Sequence, residues 1–402
     1  MAIKNKKILY VTYLGLLEPI PKSQVIPYLI ALAKQNHIFV LSFEKKNILK
    51  EKSKEVIHLK RQLHEAGIQW YRLRYHRFPK IVSSFYDIFV GFCFSYYIML
   101  KHRITIFHAR SNIPIAIAYL LKKISHIKIL YDRRGVMGDE HVENSGWKKN
   151  GLLHKMAMYF ERKVLVESNA IVVLTHRMNE IFKNQIPLQN KIISTIPCCT
   201  DLTLFKREIS FKNMDEHILS ELKDKFIFVY SGTLGTYNLF PEMISFFRVA
   251  KQMIANAHLL LLTSQIPSVD SDLKKNITVT HTEPIGVPQF LSLSHVGLIF
   301  RQHSSTAVAA SPTKMAEYLA CGLPIISLSH IGDAENIIKR YHVGALLESY
   351  NSFQYDAAIK VILDLFKNEE ELRLRCRQTA EHYFPLSLGV DRYNDIYKQL
   401  SV

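Results

Sequence analysis

Residues 311–327 read Ser311-Pro312-Thr313-Lys314-Met315-Ala316-Glu317-Tyr318-Leu319-Ala320-Cys321-Gly322-Leu323-Pro324-Ile325-Ile326-Ser327, a helix with start and stop signals that runs straight into a strand. Ser311 is an N-cap type, and Pro312 fills the first helical place, where a missing N–H costs nothing. Gly322 ends the helix, and Pro324 opens an apolar strand. The unpaired N–H groups and partial positive charge of such a helix start suit a phosphate. Lys314 adds a full charge one turn in. Glu317 shares a face with Thr313 and Lys314, so its carboxylate is placed to accept hydrogen bonds from ribose hydroxyls. A plain capped helix with a solvated Lys–Glu pair has the same pattern, and periodicity alone does not separate the two.

Working outward, the same strand–helix alternation fills both halves of the chain. The later half has strands expected at Lys225–Tyr230, His258–Leu262, Ile277–Thr280, Val296–Phe300 and Pro324–Ser327, with a helix from Pro241 to Asn256. The earlier half has strands at Lys7–Thr12, His37–Phe43, Gln69–Leu73, Thr105–His108, Ile127–Tyr131 and Ala170–Leu174, with helices at Val25–Gln35 and Glu51–Ala66. Continuous apolar strands alternating with helices predict parallel sheets covered on both faces. Two such series predict an α/β protein of two Rossmann-like, doubly wound domains. The length of 402 residues also fits about two domains. The polar stretch 197–224 is expected to contain the linker.

Apolar residues make up 48% and charged residues 22%, which excludes a disordered chain. The five cysteines lack framework or zinc-ligand spacing, so reduced thiols in a cytosolic compartment and no metal are expected. The first residues do not read as a secretion signal. The net charge of +17 is uneven: residues 1–200 hold 32 Lys/Arg against 13 Asp/Glu, and the remainder 20 against 22. The basic half is therefore expected to face an anionic partner such as lipid headgroups, phosphates or nucleic acid. Ile81–Leu100 carries one charge, Asp87, between basic flanks. It reads as a core helix, an interfacial aromatic helix or, given the central charge, less readily a membrane span.

The stretch 311–324 resembles the donor-site helix of retaining GT-B glycosyltransferases of family 4. Further segments match that family in order: Ser23-Gln24-Val25 after Gly15, His108-Ala109-Arg110-Ser111, Tyr131-Asp132-Arg133-Arg134-Gly135, Asp139-Glu140, Ile196-Pro197-Cys198-Cys199-Thr200-Asp201, Tyr230-Ser231-Gly232-Thr233-Leu234-Gly235, and Ile331-Gly332-Asp333. The resemblance spans about residues 8–340 and implies two domains facing across a cleft. It implies an acceptor-binding domain at 1–205, a nucleotide-sugar-binding domain at 206–383 and a helix at 384–402 crossing back to the first.

The activity implied is transfer of a hexosyl unit from a nucleoside diphosphate sugar to a saccharide or lipid-linked saccharide in cell-surface polysaccharide synthesis. Retention would come by same-face attack assisted by the leaving diphosphate, without a metal or other cofactor. Donor-binding residues by resemblance are Ser231, Gly232, Ser311, Thr313, Lys314 and Glu317. Many relatives have two glutamates separated by seven residues, and Ala309 stands where the first would be. Relatives also carry Arg and Lys after the glycine turn, where this chain has Thr233. Arg301, at the end of its strand, is therefore nominated with Lys314 to stabilise the diphosphate.

His108 and Arg110 are the expected catalytic groups of the first domain. Gly15, Ser23, Gln24, Asp132 and Arg134 are its expected acceptor contacts, with Asp139 and Glu140 in the same charged loop. A peripheral place on the inner face of an anionic membrane would explain the basic half, and nucleic acid is not an expected partner. Two rivals remain at this stage: a nucleoside-diphosphate-sugar epimerase of the same architecture, and a non-catalytic basic protein binding glycan or nucleic acid.

Overall fold

The computed structural model describes residues 6–185, 191–207, 211, 214–235, 238–302, 304 and 306–401. The chain divides into two compact units, Met1–Ile196 with Leu386–Val402, and Pro197–Pro385. The expected divisions stood at 205/206 and 383/384, so residues 197–205 fold with the second unit. Phe205 is buried in that unit's core, and the Arg377 guanidinium donates to the Leu202 and Phe205 carbonyls.

The first unit holds the strands β1 (Lys7–Thr12), β2 (His37–Glu44), β3 (Gln69–Arg74), β4 (Ile106–Arg110), β5 (Lys128–Asp132), β6 (Ala170–Val173) and β7 (Ile192–Thr195). All pair parallel in the order β3-β2-β1-β4-β5-β6-β7. The second holds β8 (Phe226–Ser231), β9 (Ala257–Leu262), β10 (Ile277–Thr280), β11 (Val296–Ile299), β12 (Ile325–Leu328) and β13 (Gly344–Leu347), in the parallel order β10-β9-β8-β11-β12-β13. Each sheet is doubly wound, and its order reverses beside its first strand. The crevice where ligands enter such sheets therefore lies at the carboxyl ends of β1 and β4 in one unit, and of β8 and β11 in the other.

Central strands are apolar on both faces: β9 is buried throughout, and β1 from Ile8 onward. The helix Leu386–Leu400 belongs to the first unit, where Tyr393, Ile396, Tyr397 and Leu400 are buried and the Asn394 carboxamide accepts from Asn36 at 2.8 Å. The long apolar segment is the helix Lys80–His102, one third of whose apolar window is buried. Gly91 lets it lie close to the helix Asn112–Lys122, since a Cβ there would meet Ile117 Cδ1 at 2.5 Å. Asp87 is buried and accepts from the Tyr13 hydroxyl at 2.8 Å, with His76 Nδ1 at 2.6 Å. The central charge thus ties the helix to the unit beneath it, and the opposite face is exposed.

Candidate functional site

In the second unit the strand ends at β8 and β11 meet the helix Thr313–Ala320. That helix closes as a Schellman motif: Leu323 N–H bonds the Tyr318 carbonyl and Gly322 N–H the Leu319 carbonyl, both at 2.9 Å, with Gly322 at φ +75°. Its start differs from the expectation. Pro312, not Ser311, is the N-cap, and no side chain caps the helix. The Ser311 hydroxyl instead accepts from Cys198 N–H at 3.1 Å, anchoring the segment that enters the unit. Proline at N-cap leaves the first N–H groups without a side-chain partner, which keeps the anion-binding character of the helix start.

Gly232 follows β8 at φ +135°, and a Cβ there would lie 3.3 Å from Lys314 Nζ. The glycine therefore satisfies both the backbone and the ammonium beside it. The N–H groups of Ser231 and Gly232 are used internally, donating to the Tyr318 hydroxyl at 2.9 Å and the Leu262 carbonyl at 3.0 Å. Gly297 on β11 makes room for that tyrosine, since a Cβ would meet its ring at 2.1 Å. Lys314 Nζ sits 3.8 Å from the centre of the Tyr230 ring. Among the described residues no hydrogen bond or ion pair holds Lys314 or Glu317.

Burial pushes the Lys314 amine down to about 7, with Glu317 opposing and Arg301 assisting. Burial likewise pushes the Glu317 carboxyl up to about 7, with Lys314 opposing. Arg301 extends from the end of β11. Its backbone N–H and carbonyl both bond the Tyr350 hydroxyl, at 2.9 and 2.8 Å. It also bridges to Asn238 of the loop leaving β8. The expected donor residues Ser231, Gly232, Arg301, Thr313, Lys314 and Glu317 thus gather at one edge, with Ser311 turned to a structural role. Ala309 is buried in the short turn Ala307–Ala309 and presents no carboxylate.

In the first unit His108, Arg110, Asp132 and Arg134 form one cluster at the ends of β4 and β5. Asp132 Oδ2 accepts from Arg134 at 2.8 Å and Arg110 at 3.0 Å, and lies 3.4 Å from His108 Nε2. His108 Nδ1 is 2.6 Å from the Tyr397 hydroxyl, and Arg134 donates to the Tyr393 hydroxyl at 2.6 Å. Burial alone would raise the Asp132 pKa, but Arg134, His108 and Arg110 outweigh it and hold the carboxyl well below the usual range. Burial lowers the His108 pKa, with Asp132 opposing, and the imidazole is wholly enclosed at 0% exposure.

The neighbouring charges are internal pairs: Arg133 with Glu161 at 2.7 Å and Asp139 with His154 at 2.9 Å. Asp139 and Glu140 lie in the helix Met137–Ser145 rather than in a loop. At Gly15 the space a side chain would take is filled by Glu44, whose Oε2 a Cβ would meet at 2.5 Å. Ser23 donates to the Ile20 carbonyl at 3.2 Å, and Gln24 is buried at the end of the helix Pro19–Gln24. Tyr393 and Tyr397 were missed from sequence, although their four-residue spacing on a helix expected to cross back was the available signal. Tyr230 and Tyr318 were missed likewise; both lie inside the quoted motifs. Among the described residues no His, Cys, Asp and Glu group is arranged to hold a metal.

No protein-family model matches the sequence, and no curated protein matches it in sequence. Solved structures do match in shape. A glycosyltransferase from Rickettsia africae is 15% identical with a TM-score of 0.69, covering 98% of this chain and 99% of its own. Sucrose-phosphate synthase from Thermosynechococcus elongatus is 14% identical with a TM-score of 0.74 over the same shares. HepE from Anabaena, solved with UDP-glucose, is 11% identical with a TM-score of 0.68, again over 98% and 99%. The two parallel-sheet α/β units of this chain have the GT-B fold of those glycosyltransferases.

Proposed function

We propose that the chain is a retaining glycosyltransferase that moves a hexosyl unit from a nucleoside diphosphate sugar to a saccharide or lipid-linked saccharide in cell-surface polysaccharide synthesis. The observation that carries this reading is the pair Lys314 and Glu317. Both are titratable, shifted by burial and without a side-chain hydrogen bond or ion pair among the described residues, at the edge where a doubly wound sheet takes its ligand. A diphosphate beside Lys314 would restore its charge, and Glu317 would accept from the ribose hydroxyls. Lys314, Arg301 and the start of the helix Thr313–Ala320 would then stabilise negative charge on the diphosphate as the glycosidic bond breaks. That chemistry needs no metal.

The acceptor would be taken by the basic first unit, with Gly15, Ser23, Gln24, Asp132 and Arg134 as its contacts. His108 and Arg110 would act from the same cluster. A cytoplasmic chain resting on the inner face of an anionic membrane would meet such an acceptor. The nucleotide-sugar complex of HepE supports the donor class.

Calorimetric titration with UDP, GDP and their hexose conjugates tests the reading. Tight binding of one, weakened by Lys314→Ala and by Glu317→Ala, is expected. Binding untouched by both substitutions would move the donor site elsewhere. Release of free nucleotide with sugar transferred to an acceptor, rather than an epimerised donor, separates transfer from epimerisation.

A further inference from the structure

We propose that the outer faces of the helices Lys80–His102 and Leu152–Glu167 form one docking surface for an anionic lipid bilayer. This rests on the membrane contact proposed above, and adds to it a second helix and a lipid class. The crossovers from β3 to β4, β4 to β5 and β5 to β6 run in one direction along the sheet, so right-handed connections put their helices on the same face. Asn112–Lys122 packs against both of the others and lies between them.

On Lys80–His102 the side chains of Val82, Phe85, Tyr86, Phe89, Tyr97 and Leu100 are each at least half exposed. With exposed Cys93 they fall in steps of three and four residues, a single stripe along the helix. Leu152, Met156, Tyr159 and Val166 form a matching stripe on Leu152–Glu167, interrupted by exposed Lys163 and flanked by exposed Lys155 and Arg162.

The exposed charge on these three helices has one sign. Among the described residues of these three helices no Asp or Glu is exposed: Asp87 and Glu161 are buried, and Glu167 is half-buried against Lys122. Cations lie over the exposed and half-exposed rings, Lys101 over Tyr97 at 5.5 Å, Lys163 over Tyr159 at 5.8 Å and Lys123 over Tyr119 at 5.0 Å. Aromatic bodies with ammonium tips above them match the boundary between acyl chains and negative headgroups. A protein partner or a second copy would also cover apolar surface. A second copy, however, would bring together two sets of helices whose exposed charges are all basic.

Sedimentation of the full chain with vesicles tests this. Phosphatidylcholine vesicles containing about 30 mol% phosphatidylglycerol should carry the protein down, and phosphatidylcholine alone should not. Phe85→Ser with Phe89→Ser should weaken that binding at every salt concentration. Each basic residue near an anionic surface contributes roughly five-fold to partitioning, so Lys155→Glu, Arg162→Glu and Lys163→Glu together should lower it more than about 100-fold.

The proposal falls if the wild type stays in solution with anionic vesicles, or if the triple variant sediments like wild type. It also falls if Phe85→Ser with Phe89→Ser dissolves a dimer and leaves vesicle binding unchanged. Nucleotide-sugar titration of each variant confirms its fold. Vesicle binding without nucleotide-sugar binding would sink the donor site and leave this surface standing.

Discussion

The two units place charged side chains at equivalent sheet edges and treat them in opposite ways. At β4 and β5 the cations close on a central carboxylate: Asp132 is wedged between Arg110 and Arg134, and His108 is enclosed by Tyr10, Tyr393 and Tyr397. At β8 and β11 the Lys314 amine lies over the Tyr230 ring, and among the described residues neither its side chain nor that of Glu317 makes a hydrogen bond or ion pair, although each feels the other's charge. In the first arrangement the charges pair with one another, although the buried Asp132 Oδ1 has no hydrogen-bond partner among the described residues. In the second, two titratable side chains are shifted by burial without a hydrogen bond or ion pair among the described residues, a pattern that marks candidate ligand sites. Sequence alone ranked these residues together, because spacing shows which side chains share an edge and not which of them are already paired.

The largest effect should come from unbalancing the ion-paired cluster around Asp132. Asp132→Ala leaves two buried guanidiniums without their carboxylate, and should cost about 3–5 kcal/mol in urea unfolding. Glu317→Ala should move the same curve by less than about 1 kcal/mol. Equal losses would erase the contrast between the units. Next, Lys314→Met removes a charge-assisted contact worth about 2–3 kcal/mol to a bound diphosphate, so calorimetry should show donor affinity falling roughly 100-fold. Its melting temperature should hold or rise, since a desolvated amine is replaced by an apolar chain.

The free Lys314 amine titrates near neutrality, at about 7. Nucleotide affinity should therefore fall as pH rises above that value, approaching about ten-fold per pH unit, while Lys314→Arg should flatten the slope. The stability sign is opposite. Between about 7 and the ordinary lysine value near 10.4 the unfolded chain binds more protons at this group, so its contribution to stability rises with pH. The smallest effect expected is that of Gly232→Ala. The positive φ and the nearby ammonium should cost about 1 kcal/mol in thermal unfolding and several-fold in donor affinity.

The strands with long apolar runs were legible from sequence, because burial on both faces demands such runs: β1, β2, β8 and β9 fall within a residue of their expected ends. The edge strands β7 and β13, four residues each, were not. Ile192–Thr195 is half polar, and Gly344 opens β13 at φ +157°, where a Cβ would strike the Ile325 carbonyl at 2.0 Å. A short strand opened by glycine has little pattern to read. Ser311 was misplaced as a cap because serine before proline is a helix-start signal wherever it occurs. Only the folded chain shows its hydroxyl engaged by Cys198 instead. Thr313, Lys314 and Glu317 were legible because helical periodicity fixes which residues share a face.

The helix Leu386–Leu400 has a consequence for the order of assembly. Its residues emerge from the ribosome after the whole of the Pro197–Pro385 unit, yet they supply Tyr393, Asn394 and Tyr397 to the interior of the unit made first. The earlier unit must therefore wait, with Asn36, His108 and Arg134 lacking those partners, while the later one is synthesised and free to fold. The Pro197–Pro385 unit can be complete before the unit that precedes it in the chain.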